Sequence, residues 1–393
     1  MGKDLIGSLD IGSSSIKLLV VSKNSRGDLE VFYKLQKNSR GVKKGGVVDS
    51  QKLSQVIKDI SQQFFQETKL KLPPLFVNLG GDQLSSFFSR GLISVSRADQ
   101  KISEEDVERV LKAAQAINVG QNKEIFDVLP LQFIIDGEEG IENPVEMRGM
   151  RLEVEALLLV GSIRHFENLK RAILLSEIEV LDFIPSPLAL STSVLKEREK
   201  EIGVCLLNLG AQTTEISVFE DGKLIHFSVL PIGTISVTNK IAIFLKTDFE
   251  VAERIKKEYG SCFCSKRKRE KIEIGEEVLT FTLSSLSRVV REEYLKIFEK
   301  VKKELKKISK EKSLPAGVVL TGGGAKVEKI SSLAKQKFKL NARIGKPLKI
   351  SGIEQDLSFA LAGGLILVGM KEEKKKTLNF FSKIAKFFKN FLP

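Results

Sequence analysis

Tryptophan is absent from the 393 residues, and histidine (two), cysteine (three) and tyrosine (three) are sparse. The three thiols, Cys205, Cys262 and Cys264, are an odd number and too few for a disulfide framework, which fits a reducing compartment. Cys262 and Cys264 are spaced more tightly than a usual zinc pair, and His165 and His226 lie far away in sequence, so no metal centre of thiolates and imidazoles is expected. No run approaches the roughly 18 uncharged apolar residues of a membrane-spanning helix, and mean hydropathy is -0.04. The opening MGKDLIGSLDIG lacks the apolar core of a signal peptide, so secretion is not expected. Gly2 follows Met1, but Ile6 stands where an N-myristoylation motif needs Ser or Thr.

Positive charge, by contrast, is in excess: the formal net charge is +13, of which residues 371–393 carry +5. A second basic cluster, Lys266-Arg267-Lys268-Arg269, reads as a solvated loop. No nucleic-acid module with interleaved aromatic and basic residues appears, and nucleic acid is not an expected partner. The length exceeds what one hydrophobic core usually serves, and two lobes are expected.

The chain opens as strand, turn, strand: apolar Leu5–Leu9, the small-residue turn Asp10–Ser15, then Ile16–Val21 and a further strand at Leu29–Leu35. A helix is expected over 50–67. The same grammar returns at Val204–Leu207, the turn Asn208–Thr214, Glu215–Phe219, the hairpin turn Asp221-Gly222 and Leu224–Val229. Two such copies almost 200 residues apart imply duplicated lobes. Between them, residues 82–162 read as a small α+β insertion, with a helix at 103–117 opened by a capping box of Ser103 and Asp106. Further helices are expected at 165–176, 188–199, 234–245, 248–258, 284–309 and 326–337.

The turns carry the chemistry. A nucleoside triphosphate needs donors without steric crowding, and turns of Gly, Ser and Thr supply backbone N–H groups and hydroxyls that let the chain approach closely. Asp10, Gly12, Ser13, Ser14 and Ser15 form one such loop, with Lys17 placed to extend a point charge and Asp10 to hold a hydrated Mg2+. Asn208, Gly210, Ala211, Gln212, Thr213 and Thr214 form the second, and Thr321-Gly322-Gly323-Gly324-Ala325 a third, suited to lie against adenine or ribose. Each alone is equally an ordinary turn; three that close one cleft from two lobes point to a nucleotide site.

At the C-terminus, residues 377–392 read TLNFFSKIAKFFKNFL. At about 100° per residue, Phe380, Phe381, Ile384, Phe387, Phe388 and Phe391 fall within a wedge of roughly 120°, opposite Lys383, Lys386 and Lys389. This is the composition of an amphipathic helix lying in a lipid interface, preceded by Lys374-Lys375-Lys376 for anionic headgroups.

Taken together, SLDIGSSSIKLLVV, KKGGVVD at 43–49, the 133–162 stretch ending RLEVEALLLVGS, LNLGAQTTEISVFEDGKLIHFSVLPIG, AERIKKEYG, GVVLTGGGAKVEKI and the basic-aromatic tail resemble the FtsA family of bacterial cell-division proteins across nearly the whole chain. The resemblance implies an α/β fold of the actin-like (actin/Hsp70/hexokinase) superfold, its two duplicated lobes enclosing an ATP and Mg2+ cleft. It divides the chain into a first lobe (1–81 and 163–200), an inserted subdomain (82–162), a second lobe (201–240 and 313–370) and that lobe's outer part (241–312). A basic linker (371–376) and a membrane-targeting helix (377–393) follow. It further implies that the loops above face phosphate, that Glu253, Lys256, Gly322, Gly323 and Gly324 approach ribose and adenine, and that the protein polymerises on the cytoplasmic face of the membrane at the division site. Its implied partners are a second copy of itself, anionic lipids, other division proteins and the C-terminal tail of the tubulin-like protein FtsZ. An actin-like pilus-assembly protein and a small-molecule kinase of the same superfold stay open as alternatives, though no catalytic Asp for a kinase stands beside the loops.

Three places in the chain depart from the family's pattern. The second loop is usually Asp-Ile-Gly-Gly-Gly-Thr-Thr-Asp, whereas this chain has Asn208, Ala211, Gln212 and Glu215. Ala211 and Gln212 would add about 1 kcal/mol or more of strain wherever a positive φ is required. Ser186 replaces the Glu of the family's Glu-Pro-Leu-Ala, which orients the attacking water in related proteins. These losses weigh on hydrolysis more than on binding, so ATPase activity is expected to be slow or absent. On the helix where the family presents an Arg to the FtsZ tail, the register gives Glu293, with Arg288 and Arg291 nearby.

Overall fold

A computed structural model describes residues 5–264, 269–274, 277–310 and 313–372. The strand Ile6–Ile11 pairs antiparallel with Ser15–Lys23, which pairs antiparallel with Leu29–Asn38. Leu18, Leu19, Val20 and Val21 are all fully buried, as a continuous apolar run in a sheet covered on both faces requires. Three parallel additions complete a six-stranded sheet in the order Val180–Pro185, Leu75–Leu79, Ile6–Ile11, Ser15–Lys23, Leu29–Asn38, Ile350–Ser351.

The second copy repeats this plan. Val204–Leu209, Thr214–Glu220 and Lys223–Leu230 form the antiparallel trio, and Val318–Thr321 and Ala342–Ile344 add in parallel. The duplication expected from the strand-turn-strand grammar is therefore present in the hydrogen bonding of the two sheets. A separate four-stranded sheet holds Ser85–Ser94, Arg151–Ser162, Lys123–Ile135 and Glu138–Ile141 in that order. The helix Glu104–Ala114 lies on it, opened by the capping box: Asp106 N–H donates to Ser103 Oγ and Ser103 N–H to Asp106 Oδ2.

Several expected elements differ. The helix expected over 188–199 is two, Ser186–Val194 and Glu197–Ile202. Leu195 leaves the helical region to bury itself in the core, and Arg343 donates to the freed Val194 carbonyl at 3.0 Å while paired with Glu199. The helix expected from 326 begins only at Ile330, after a 3-10 turn over Gly323–Lys326, because the Glu328 carbonyl is taken by the Cys262 N–H at 2.9 Å. The hairpin Arg269–Ile274/Glu277–Thr282 and the strand Val180–Pro185 have no counterpart in the sequence reading. Of the basic cluster, only Arg269 is among the described residues, and it begins a strand.

Residues 350–366 return to the first lobe. Ile350, Ile353, Phe359, Ala362 and Ile366 pack with Leu19 and Val21, and Ser8 Oγ donates to Ala362 O at 2.8 Å. Residues 313–370 were expected in the second lobe; Ile350–Ser351 pairs with the first sheet and Phe359, Ala362 and Ile366 pack on it, while Leu357 stays in the second lobe's core. A further cluster joins the lobes, with Phe76 and Ala189 of the first meeting Val204, Leu206 and Val319 of the second around Ala360 and Leu365. The helix over 360–372 crosses Ser186–Val194 so closely that a Cβ on Gly364 would stand 1.9 Å from Ala189 O. Gly364→Ala is therefore expected to cost about 1–3 kcal/mol, read as a lower denaturation midpoint, because backbone on backbone leaves nothing flexible to yield.

Candidate functional site

The first two loops are built alike. In the first, Asp10 and Ile11 still belong to the strand, and the turn proper is Gly12-Ser13-Ser14, closed by Gly12 N–H donating to Ser15 O at 3.1 Å. In the second, Gly210 N–H donates to Thr213 O at 2.9 Å. At each glycine an added Cβ would stand 3.0 Å from that same carbonyl oxygen, which is why both turns open on glycine. Neither Ala211 nor Gln212 has a positive φ, so the strain expected of these two replacements does not arise.

The two loops meet on one dipeptide. Ser13 Oγ accepts from Gly45 N–H at 2.7 Å, and Gln212 Oε1, from the opposite lobe, accepts from Lys44 N–H at 2.8 Å. The side chain of Gln212 thus bridges the lobes. Lys44 O in turn accepts from Asp82 N–H at 2.9 Å, and Gly45 packs directly on Gly81 at the root of the inserted sheet. The Lys44-Gly45 dipeptide lies in a stretch whose sequence signalled only family likeness, not contact; its two glycines and short strands are the signal that could have found it.

The third loop closes on the second. Gly322, at φ +83° and ψ 173°, sits against Asn208 and Leu209, and a Cβ there would stand 2.3 Å from Asn208 Oδ1. Gly324 packs on Leu209 and Thr234, and its carbonyl accepts from Tyr294 O–H at 2.7 Å. Gly323 is different: a Cβ there would meet nothing within 4 Å. Beneath the second loop, Thr234 and Ile235 N–H groups donate to Gly210 and Ala211 carbonyls. Lys256 and Glu253 pair at 2.6 Å, and both bond Thr238 Oγ1, at 2.8 and 2.5 Å. Burial lowers the Lys256 pKa while Glu253 opposes the shift, so this pair braces the helix Ile235–Leu245 under the loop.

The cleft floor holds two carboxylates. Asp10 pairs with Lys17 at 2.8 Å, both nearly buried, so Lys17 is tethered to Asp10 rather than extended free. Glu215 is buried, accepts from Asn208 Nδ2 at 2.9 Å, and is near enough to Asp10 to feel its charge. Burial first, and Asp10 second, push its pKa up to about 7 against the pull of the Asn208 hydrogen bond. Ser186 Oγ is committed to the Leu79 carbonyl at 3.0 Å. Glycine- and hydroxyl-rich turns from both lobes with one or two carboxylates are a donor set that fits a nucleotide with hydrated magnesium. Among the described residues no group of three or more His, Cys, Asp and Glu side chains gathers as a metal cluster.

Because Glu215 is raised, its protonated form contributes stability that is complete below the ordinary glutamate pKa and is lost as pH rises through about 7. Glu215→Gln is expected to be more stable than the wild type at pH 8 by up to about 3 kcal/mol. At pH 4.5 the two should be equal. Denaturant titrations at the two pH values check it; the groups facing Glu215 that could mask the effect are Asp10 with its Lys17, Asn78, Ser186 and Asn208.

Elsewhere, Glu293 is buried and tied to Lys296 at 2.5 Å, so it cannot present a surface to a partner. Arg291 stacks over Phe263 at 4.7 Å, leaving Arg288 as the exposed arginine of that helix, Leu283–Lys307. The tail residues Phe380, Phe381, Lys383, Ile384, Lys386, Phe387, Phe388, Lys389 and Phe391 lie outside the described residues. No helix among the described residues is long and apolar enough to cross a membrane.

Two duplicated α/β lobes with glycine-rich turns facing across one cleft define an actin-like protein. Solved structures agree on the fold: the PilM-PilN type IV pilus biogenesis complex aligns with TM-score 0.66 at 17% identity, covering 93% of this chain and 98% of that one. MreB5 of Spiroplasma citri bound to ADP aligns with TM-score 0.58 at 12% identity, covering 95% and 98%. The family description "Cell division protein FtsA" matches residues 205–364, and "SHS2 domain inserted in FTSA" matches residues 81–160. Cell division protein FtsA of Pseudomonas aeruginosa is 33% identical over 381 residues, 95% of this chain and 90% of that protein. That of Bacillus subtilis is 34% identical over 371 residues, 92% and 83%. The chain belongs to the FtsA family of cell-division proteins.

Proposed function

We propose that this protein binds ATP with Mg2+ in the cleft, polymerises on the cytoplasmic face of the cell membrane at the division site, and tethers FtsZ filaments there through the FtsZ C-terminal tail. The observation that carries the nucleotide reading is the convergence of Ser13 and Gln212, one from each lobe, on the adjacent amides of Gly45 and Lys44. Two loops held on one dipeptide offer Gly, Ser and Thr donors from both lobes to a single polyanion. The ADP and AMPPNP complexes of MreB5, a protein of the same fold, support the same assignment. Asp10, Gly12, Ser13, Ser14, Ser15 and Lys17 would meet phosphate from the first lobe, and Gly210, Ala211, Gln212, Thr213 and Thr214 from the second. Gly322, Gly323 and Gly324 would flank the nucleoside, with Glu253 and Lys256 behind them. Asp10 would hold the magnesium through water, exchanging part of its bond to Lys17.

Hydrolysis is slow at most in this reading. Asn208 brings no charge to the magnesium shell, and Ser186 brings no carboxylate to a water. Electron microscopy on anionic lipid monolayers, with and without ATP, tests the whole reading: ordered filaments that require both lipid and ATP are expected, and bare monolayers in both cases would refute it. In solution, purified protein should retain a fluorescent ATP analogue while releasing phosphate slowly, at a rate resolved from a protein-free blank only in long single-turnover incubations.

A further inference from the structure

Glu215 is the charged group of the cleft floor that the arrangement above leaves without a task. It stands opposite Asn208 in the strand register, and the Asn208 amide holds its Oε2. The other oxygen, Oε1, is turned toward the first lobe. There Gly80 has no side chain, and a Cβ placed on it would lie 3.7 Å from Glu215 Oε1, 3.6 Å from Asn78 Nδ2 and 2.8 Å from Ser186 Oγ. Asn78 and Ser186 are both occupied within their own lobe, Asn78 Oδ1 accepting from Ile11 N–H at 2.7 Å and Ser186 Oγ donating to Leu79 O. Asp10 is neutralised by Lys17. Among the described residues Glu215 has no cationic partner, so it is a carboxylate aimed across the cleft with its charge uncompensated.

We propose, resting on the nucleotide-binding reading, that Glu215 is the group that orients the attacking water and accepts its proton in the slow hydrolysis of ATP. The water oxygen bonds to the terminal phosphorus, and the bond from that phosphorus to the bridging oxygen breaks. ADP leaves with the bridging oxygen, and the proton shed by the water passes to the Glu215 carboxylate. The short Ser186 side chain and the bare Gly80 leave the gap into which a glutamate, one methylene longer than an aspartate, can project from the second lobe. The second lobe thus supplies the carboxylate, which already lies against Gly80 of the first lobe.

Two measurements on full-length protein decide it: single-turnover phosphate release from protein loaded with ATP and Mg2+, and equilibrium binding of AMPPNP without metal. For Glu215→Gln, turnover is expected to fall at least tenfold, since loss of a proton acceptor commonly removes a factor of about a hundred or more. At pH 8, where Glu215 is ionised in the free protein, AMPPNP should bind roughly three- to tenfold tighter to the variant, because a negative charge facing a polyanion has gone. Glu215→Asp keeps the charge and the fold but withdraws the carboxylate; it should lose turnover with no gain in AMPPNP affinity. Wild-type turnover in either variant overturns the proposal, as does unchanged AMPPNP binding in Glu215→Gln. Wild-type protein that holds ATP yet releases no phosphate above the blank also overturns it and leaves the nucleotide-binding reading standing. Failure to bind ATP or AMPPNP at all overturns both.

Discussion

Gly322→Ala is expected to destabilise the protein by about 2–4 kcal/mol and to weaken ATP binding severely. Two independent terms add. At φ +83° and ψ 173° the residue occupies a region of backbone space that is essentially closed to side chains, which alone costs on the order of 1–3 kcal/mol. The added methyl would also stand 2.3 Å from Asn208 Oδ1 and 2.9 Å from the Leu209 carbonyl. Asn208 is held by Glu215 and by its place in a central strand, and the Leu209 backbone pairs with Thr214, so neither can move aside cheaply. The strain would be relieved by lifting the third loop off the second, which opens the wall of the cleft. Gly323→Ala is the matched control: its Cβ enters open space, and apo stability should not change. If residue 323 lines the nucleotide, that same open space is where the ligand lies, and the control should bind ATP more weakly while melting like the wild type. Equal melting of Gly322→Ala and the wild type would show that the third loop does not depend on this close approach.

How much of this was legible beforehand depends on the range over which each feature is encoded. Strand, small-residue turn and strand is a local pattern. Asp10–Ser15 and Asn208–Thr214 therefore announced both loops, and the structure keeps Gly12 and Gly210 as their first turn residues. The Ser103/Asp106 capping box was legible for the same reason, since a cap and its helix are three residues apart. What could not be read were the meetings across the fold. Ser13 reaches Gly45, and Gln212 reaches Lys44 across 168 residues, a contact that no periodicity encodes. Glu215 read only as one of the second loop's departures from the family pattern, whereas its burial between lobes and its approach to Gly80 follow only from how two sheets pack. No helix was read over the apolar stretch Phe359–Ile366, and hydrophobicity alone does not say which core such a stretch joins: Phe359, Ala362 and Ile366 pack on the first sheet, Ala360 and Leu365 between the lobes. The strand grammar likewise missed Val180–Pro185, since a single short parallel strand carries neither alternation nor a hairpin turn.

The largest loss of membrane affinity is expected from Phe387→Asp combined with Phe388→Asp, for reasons that lie wholly in the sequence. Burying a phenylalanine side chain in an apolar phase is worth roughly 1.5–3 kcal/mol, so removing two forfeits on the order of 3–6 kcal/mol before any charge is counted. The two carboxylates then oppose Lys383, Lys386 and Lys389 and the leading Lys374-Lys375-Lys376, each of which contributes about 1 kcal/mol at an anionic surface. Binding to phosphatidylglycerol-containing vesicles should fall at least a hundredfold by co-sedimentation. A double change at Lys386 and Lys389 to Gln should act differently, weakening binding by about thirtyfold on anionic vesicles and leaving any residual binding to neutral vesicles unchanged. Apolar burial and charge attraction are thereby separated in one assay. The described lobes should be indifferent to both sets of changes, with the same melting curve and the same affinity for ATP in solution. Unaltered vesicle binding by the aspartate pair would mean that lipid is gripped elsewhere, and a shifted melting curve would mean that the phenylalanines serve the protein's own core instead.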